Sequence, residues 1–282
     1  MYDVQREIRN IQTITLKEFR DNISSKRFIF IGFFYLLFAI MLSLVSGYVI
    51  KNERPYSVLG LMESMNLIVA LLAVIISADS LSLEKKDRTV YQLLSRPVER
   101  SSVIVGKFLG CLAVIASLFT ACAVLAYLLT AFFSGTLPAP GDIIPVVEAI
   151  VAENLMLAVY IAIGILVSTV TKNPFISIIA SFLAWVVLFL SSTVGSIIGM
   201  VSAPVNILLY NGDMFDLYPI YAKIMIWADP MSHGMVSQIL SGKAGAVVAG
   251  MPIWANAVFL LAYAGLLLTV AVVLFKNQDI TS

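Results

Sequence analysis

The residues that catalytic chemistry would need are scarce in this sequence. His233 is the only histidine, so the H-E-x-x-H pattern of a zinc hydrolase is impossible. Gly106 and Lys107 lack the upstream glycine and the following Ser or Thr of a phosphate-binding loop. Paired aspartates within an apolar run, which a membrane aspartyl protease would need, are also absent. The sequence therefore predicts a protein that is not an enzyme and that has no metal or cofactor of its own.

Two carboxylates do lie inside long apolar runs, Glu63 and Glu153. A charge near the bilayer centre costs about 2.5–3.5 kcal/mol, so residues of this kind are candidates for a transport pathway. Both lie near one end of their run, where a side chain that reaches the interface avoids most of this cost. A pathway role and an interfacial position therefore both stay open.

The densest group of charges lies in the segment 79–107, which separates two apolar runs. Thr89 followed by Gln92 has the form of a capping box at a helix start, and Pro97 ends the helix just before it. Leu93 and Leu94 fall on one face at helical spacing. The pattern predicts an amphipathic helix of about two turns. It would serve as a docking surface for another protein, or else the segment is a headgroup-bound loop that only sets topology.

The elements around these residues are those of a membrane protein. The chain of 282 residues is 60% hydrophobic and 12% charged, whereas soluble domains have about 25% charged residues. Six apolar runs are long enough to cross a hydrocarbon core of about 30 Å. They are residues 28–50, 56–78, 108–133, 149–171, 175–201 and 253–275. We predict an all-α polytopic fold in a single transmembrane domain, residues 1–282.

Two further segments lie outside these spans. In residues 1–27, apolar residues recur at helical spacing among charges, which predicts an amphipathic helix along the headgroups; a partly disordered basic tail is the alternative. Residues 202–252 combine four prolines with aromatic residues. They predict half-embedded hairpins at the interface, with a folded ligand-binding lid as the alternative.

The distribution of basic residues predicts the orientation. Of the 18 Lys and Arg residues, all but Lys51, Arg54, Lys223 and Lys243 lie in the segments 1–27 and 79–107 or at positions 172 and 276. Because basic residues accumulate on the cytoplasmic side, both termini and the segment 79–107 are expected in the cytoplasm. Residues 202–252 are expected outside.

Two pairs of glycines have the spacing that lets helices approach closely. Gly195 and Gly199 lie in the fifth span, and Gly106 and Gly110 at the base of the third. Packing within one subunit and a dimer contact are both open for each pair.

Four features point to a known family. They are the segment Lys17–Arg27 before the first span, the charged segment running to Gly110, the pair Asp229-Pro230 before the last span, and the six-span plan with a basic tail. Together they resemble the membrane subunit of a type-2 ABC exporter. The likeness is greatest to the permeases associated with multicopper-enzyme maturation, which include the nitrous oxide reductase accessory permease.

This resemblance implies a coupling helix at Thr89–Ser95 that seats in a cleft of a separate ATPase, and a connecting helix at residues 1–25. The turn Lys172-Asn173-Pro174 would be a second cytoplasmic contact. The residues expected to contact the ATPase are Glu84, Asp87, Arg88, Thr89, Leu93, Leu94, Arg96, Pro97 and Arg100.

The family works as two permease and two ATPase subunits, with ATP and Mg bound by the ATPase. This chain would therefore form a homodimer in the plasma membrane of a prokaryote, in contact with lipid and not with nucleic acid. An extracytoplasmic partner could bind residues 202–252.

Two other functions compete with an exporter permease. The chain could be a membrane anchor or mechanical transmitter that passes ATPase strokes to an outer partner without moving a substrate itself. An ion-coupled secondary carrier is disfavoured, because no span is expected to carry a buried acid near the middle of the membrane. The cargo is left open by the sequence.

Overall fold

The computed structural model describes residues 4–50, 57–63, 66–87, 99–136, 138–202, 214–241 and 247–278. The fold is all-α, as predicted. The first helices are α1 (Val4–Ile23), α2 (Lys26–Leu44, continued by the π-helical turn Val45–Ile50), α3 (Ser57–Glu63), α4 (Asn66–Asp79) and α5 (Ser82–Lys86). The later ones are α6 (Arg100–Ser134), α7 (Ile143–Val170), α8 (Pro174–Ser202), α9 (Ile220–Trp227), α10 (Val236–Ser241) and α11 (Ile253–Lys276). Two-residue strands, β1 (Val247–Val248) and β2 (Met251–Pro252), pair in an antiparallel turn.

Among the described residues, six helical segments are long and apolar enough to cross a membrane, which confirms the predicted number of spans. They correspond to α2, to α4 with α5, and to α6, α7, α8 and α11. The second and fourth of these are mostly buried, whereas the first, fifth and sixth present most of their side chains outward. The outward side chains are apolar, as expected for surfaces in contact with lipid.

The core of the bundle forms around α7. This helix packs against α4, α6, α10 and α11, and its residues Leu157, Tyr160 and Ile161 are completely buried. On the opposite side of α6, both α1 and α2 pack against that helix. The two free cysteines, Cys111 and Cys122, are buried in α6, where they act as small packing residues.

Several predicted boundaries differ from the observed ones. The third span was predicted to begin at Phe108, but α6 begins at Arg100, because the charged residues before the apolar run continue the same helix. The fourth span was predicted to begin at residue 149, but α7 begins at Ile143. Hydropathy locates the apolar part of a helix, and a flanking charged and polar stretch extends α6. The residues that extend α7, 143–148, are mostly apolar.

The bundle has two chemically different ends. We call the basic end the one formed by α1, α5, the first two turns of α6, Thr169 and residues 275–278. We call the hairpin end the one formed by residues 214–241 and 247–252. At the hairpin end α9 packs along α8 and α10 packs against α3 and α7. The described part of this segment therefore lies on the spans mainly as short helices, and its embedding in the membrane interface stays a prediction.

Candidate coupling site at the basic end

Lys107 is the centre of a buried ion network at the basic end. Its side chain is only 1% exposed, and its Nζ forms ion pairs with Glu18 Oε2 at 2.9 Å and Glu84 Oε1 at 3.2 Å. It also donates a hydrogen bond to the Ser80 carbonyl oxygen at 2.8 Å. An ammonium has three N–H donors, so this charge is fully satisfied. Lys107 thereby joins α1, α6 and the segment that leads into α5.

Glu18 is the acidic counterpart of Lys107 in this network. It accepts hydrogen bonds from Ser80 Oγ at 2.6 Å and from Asn22 Nδ2 at 3.3 Å. Burial by itself raises the pKa of this carboxyl, but the Lys107 ammonium and the hydrogen bonds from Ser80, Lys107 and Asn22 outweigh it. The pKa of Glu18 is therefore below its usual value, and the residue is an anion at neutral pH.

Two glycines allow α1 to lie against α6 closely enough for this pairing. A Cβ atom at Gly110 would stand 2.5 Å from Glu18 Cβ and 3.0 Å from the Thr15 carbonyl oxygen. A Cβ atom at Gly106 would stand 2.8 Å from Ile14 Cβ. The predicted close approach at this pair is thus a contact within one chain. Because backbone lies against backbone here, α1 and α6 are rigidly joined.

Two more contacts extend the network across the basic end. Lys17 Nζ pairs with Glu84 Oε1 at 3.0 Å, at the edge of the buried cluster. Arg27 Nη1 pairs with Asp79 Oδ2 at 2.5 Å, which ties the start of α2 to the end of α4. Ser102 near the start of α6 donates a hydrogen bond to Glu7 of α1.

Both flanks of the segment 88–98 are anchored in the bundle. Before it, the backbone amides of Leu81 and Ser82 each donate to Ser168 Oγ at 2.9 Å, and Lys85 donates to the Thr169 carbonyl oxygen. After it, Arg100 Nη1 donates to the carbonyl oxygens of Phe275 at 3.0 Å and Lys276 at 2.7 Å. The segment is therefore held at one flank by α7 and at the other by α11.

The predicted contact residues are only partly described. Glu84 lies in the network, Asp87 is exposed at the end of α5, and Arg100 begins α6. Arg88, Thr89, Leu93, Leu94, Arg96 and Pro97 lie outside the described residues, as does the whole predicted coupling helix. Glu18 and Ser80 were missed by sequence reasoning. The sequence signal that could have located them is Lys107, a lysine next to two closely spaced glycines at the base of a span. Such a lysine becomes buried, and it then requires an acid on the helix that packs against the glycines.

Glu63 and Glu153 lie away from this site, near the hairpin end. Glu63 Oε2 accepts a hydrogen bond from the Ser237 backbone amide at 3.0 Å and another from its hydroxyl. Glu153 is 1% exposed inside the bundle. The interpretation that Glu153 reaches the interface is therefore wrong, because neighbouring helices enclose its side chain. Glu153 is thus a buried acid within a span. The expectation that no such acid lies near the middle of the membrane stays a prediction.

Gly195 and Gly199 contact the hairpin end of the same chain. A Cβ atom at Gly195 would stand 2.9 Å from the Ala222 carbonyl oxygen and from Met225 Cβ. A Cβ atom at Gly199 would stand 2.2 Å from the ring of Tyr218. This face of α8 is thus occupied by α9 and the turn before it, as helix packing within the subunit requires.

Asp229 anchors the hairpin end to two spans. Its Oδ1 accepts a hydrogen bond from the Tyr160 hydroxyl at 2.7 Å, and its Oδ2 accepts one from Ser192 Oγ at 2.7 Å. The Met231 backbone amide adds a third hydrogen bond at 3.1 Å. The aspartate that precedes Pro230 therefore joins α7 and α8 to the outer helices.

No group of three or more His, Cys, Asp and Glu residues in the described ranges is arranged to hold a metal ion. What the basic end offers is a stiff mechanical joint, since ion pairs and hydrogen bonds link five of the spans there: α2, α4 with α5, α6, α7 and α11.

Comparison with known proteins agrees with this architecture. An uncharacterised membrane protein of Bacillus subtilis, YdbK, is 26% identical over 181 residues, which is 63% of this chain and 72% of YdbK. Residues 12–280 match the family described as ABC-2 family transporter protein. This match covers the later part of α1, all six spans and the hairpin end. The chain therefore belongs to the ABC-2 transporter family and is a membrane component of an ABC transporter.

Proposed function

We propose that this chain is the permease subunit of an ABC exporter, and that it couples ATP hydrolysis by a separate ATPase to the movement of a substrate across the membrane. The observation that carries the proposal is the anchoring of both flanks of the segment 88–98. A force applied to that segment acts on α7 through Ser168 and on α11 through Arg100. Lys107 extends the same connection to α1.

The mechanism requires a joint of this stiffness. Shifting a two-state transporter from about 1:99 to 99:1 needs about 5.5 kcal/mol of differential binding. Flexible side chains would rotate when the ATPase moves, and the displacement would not reach the spans. Buried ion pairs between closely packed backbones transmit displacement instead, because the core is nearly incompressible.

In this proposal the basic end faces the cytoplasm, where the basic residues are concentrated. Leu93 and Leu94 supply the apolar grip on the ATPase, and Arg88, Arg96 and Arg100 orient it. Two copies of the chain would pair with two ATPase subunits, which bind ATP and Mg. The specific likeness to the multicopper-enzyme-maturation branch remains a prediction.

The test is reconstitution of the chain with the ABC ATPase encoded nearest to it. We expect the two to co-purify, and we expect Leu94→Asp to abolish the stimulation of ATPase activity by the permease while membrane insertion is unchanged. Leu94→Met preserves the apolar grip and serves as the matched control. Normal stimulation in Leu94→Asp, or the lack of any bound ATPase, would refute the proposal.

The same preparation separates an exporter from a mechanical transmitter. ATP and a panel of cationic, neutral and anionic fluorescent amphiphiles are added outside inside-out vesicles, where the cytoplasmic face of the protein is exposed. An exporter accumulates at least one of them in an ATP-dependent way. A transmitter hydrolyses ATP under the control of its outer partner and accumulates none.

A further inference from the structure

Glu153 is a buried carboxylate with no ion-pair partner in the described part of the chain. It lies on α7, ten residues after Ile143, where that helix begins. This separation is about 15 Å along the helix axis. Neither of its oxygens accepts a hydrogen bond of ordinary length. None of the ion pairs among the described residues includes it. Lys107, by contrast, has every donor occupied.

Two neighbouring side chains are in the same condition. Asn66 opens α4 and Tyr35 lies on α2; each is 2% exposed. Asn66 Oδ1 and the Tyr35 hydroxyl both lack a hydrogen-bond partner. Both side chains interact with the Glu153 carboxylate, and the Asn66 side chain is close enough for a weak hydrogen bond to it, although no hydrogen bond of ordinary length reaches either carboxylate oxygen. Three spans therefore bring unsatisfied polar atoms to one place inside the bundle.

The chemistry of these atoms is one-sided. Both oxygens of Glu153 and Oδ1 of Asn66 are acceptors, and apart from the weak contact of the Asn66 amide with Glu153 no described residue donates a hydrogen bond to them. Buried polar groups are nearly always hydrogen-bonded, so an unsatisfied cluster calls for a missing partner. A partner that complements three acceptors must bring donors, and one that complements an ionised carboxylate in a dry interior must bring positive charge.

The surroundings favour a cation as well. Glu63, the next carboxylate toward the hairpin end, is an electrostatic neighbour of Glu153. Glu63 lines a cavity of about 540 Å³ together with Ser196, Ser232, Ser237 and Gln238. This cavity opens at the hairpin end, and none of the described residues in its wall is basic. The Glu63 carboxylate in that wall would attract a cation to this end of the bundle.

We propose that Glu153, Asn66 and Tyr35 form a binding site for a protonated primary amine. An ammonium group has a single positive charge and three N–H donors. The charge matches the Glu153 carboxylate, and the three donors match its two oxygens and Asn66 Oδ1. The Tyr35 hydroxyl completes the site at its α2 side. That the amine is part of the transported cargo rests on the proposed function above; that the site binds an amine does not.

The binding test uses the purified permease in lipid nanodiscs, without any ATPase. Three probes share a six-carbon chain: hexylammonium, hexyltrimethylammonium and hexanol. Hexylammonium has charge and donors, the quaternary ion has charge alone, and hexanol has neither the charge nor the set of three donors. A ligand that binds the folded state raises the unfolding temperature in a concentration-dependent manner. We expect that rise with hexylammonium, a much smaller one with the quaternary ion and none with hexanol.

The variants locate the effect. Glu153→Gln removes the charge at nearly constant volume and should weaken hexylammonium binding about 10- to 100-fold, the range expected for a charge-assisted hydrogen bond. Tyr35→Phe removes one hydroxyl and should weaken it by a smaller factor. Glu148→Gln, on an exposed position of the same helix, is the matched control and should bind as the unmodified protein does. If Glu153→Gln does not fold, Tyr35→Phe and Asn66→Ala carry the test.

Equal stabilisation by all three probes would overturn the proposal, because it would mean that the chain partitions nonspecifically. No stabilisation by hexylammonium would also overturn it and would leave buried water as the occupant of the cluster. Undiminished binding in Glu153→Gln or in both substitute variants would do the same. Failure to bind an ATPase would refute the proposed function and leave the amine site standing, so the two can fail separately.

Discussion

Lys107→Met should be among the most destabilising substitutions at the basic end. Methionine keeps most of the buried aliphatic volume but removes the ammonium that pairs with Glu18 and Glu84. Glu18 is then a carboxylate that is 7% exposed and is left with the hydrogen bonds from Ser80 and Asn22. Breaking a buried pair by removing one partner costs about 3–5 kcal/mol.

The structure limits the size of this loss. Glu18 can avoid being an unpaired buried anion by taking up a proton. The ordinary pKa of its carboxyl group is 4.5. At pH 7 that protonation costs about 3.4 kcal/mol, since each pH unit is worth about 1.36 kcal/mol. Glu84 keeps Lys17 as a partner and adds little. We therefore expect the free energy of unfolding to fall by about 3 kcal/mol.

The assay is equilibrium unfolding of the purified protein in mixed micelles, followed by circular dichroism. The double variant Glu18→Gln with Lys107→Met leaves no unpaired charge at this pair, so the two losses should be less than additive by about 1–3 kcal/mol. Lys86→Met, on an exposed residue of α5, is the control and should change stability by less than about 0.5 kcal/mol. If Lys107→Met is no worse than Lys86→Met, or the double variant is simply additive, the ion network is not a mechanical joint.

Three other predictions follow from the same geometry. Gly110→Ala should loosen α1 and lower stability by about 1–3 kcal/mol, because its new Cβ would stand 2.5 Å from Glu18 Cβ; faster proteolysis of α1 is the readout. Asp229→Asn should cost about 1–3 kcal/mol, because it mismatches the hydrogen bonds from Tyr160 and Ser192; thermal unfolding measures it. Acidification should remove the contribution of Glu18: its pKa is lowered in the folded state, so that stability is present above about pH 4.5 and is lost as the pH falls through the folded value.

Each of these predictions has a control within the chain. Gly265→Ala places a methyl group in open space and should stabilise α11 by about 0.5–1 kcal/mol, so an equal effect at Gly110 would contradict the close contact. Asp216→Asn changes an exposed aspartate of the hairpin end and should be neutral; a loss as large as that of Asp229→Asn would argue against a specific anchor. Glu18→Gln should show a weaker loss of stability in acid than the unmodified protein, and identical pH profiles would exclude Glu18 as the titrating group.

The number and helical type of the spans were predictable from the sequence because hydropathy and length are additive properties of a helix. The ends were less predictable. The third span was predicted from Phe108, after the charged segment, yet residues 100–107 already form the first turns of α6, because Arg100, Ser102 and Lys107 all have partners on neighbouring helices. Tertiary contacts of this kind are invisible to a pattern read along one segment.

The site was predictable in part. Its position at the segment 79–107 followed from the charges and the resemblance, and the glycine pair at 106 and 110 indicated a close approach. The partner of that approach did not follow, because Glu18 is far from Lys107 along the chain and is one of several acids in α1. Burial of Glu153 was equally hidden, since composition counts an acid in an apolar run without showing which way its side chain points.

The two ends of the bundle treat buried charge in opposite ways, and the difference has a functional meaning. At the basic end each buried charge has a partner supplied by the chain, so that site is complete and rigid without any ligand. At Glu153 the described residues supply acceptors, a second carboxylate nearby, the Asn66 amide and the Tyr35 hydroxyl, but no cation. This fold can therefore pair a buried charge with a partner of its own, and it does so at the basic end, where stiffness matters. A site left unpaired at a comparable depth is best explained by an occupant that must be able to leave, which is what a transporter requires of its cargo.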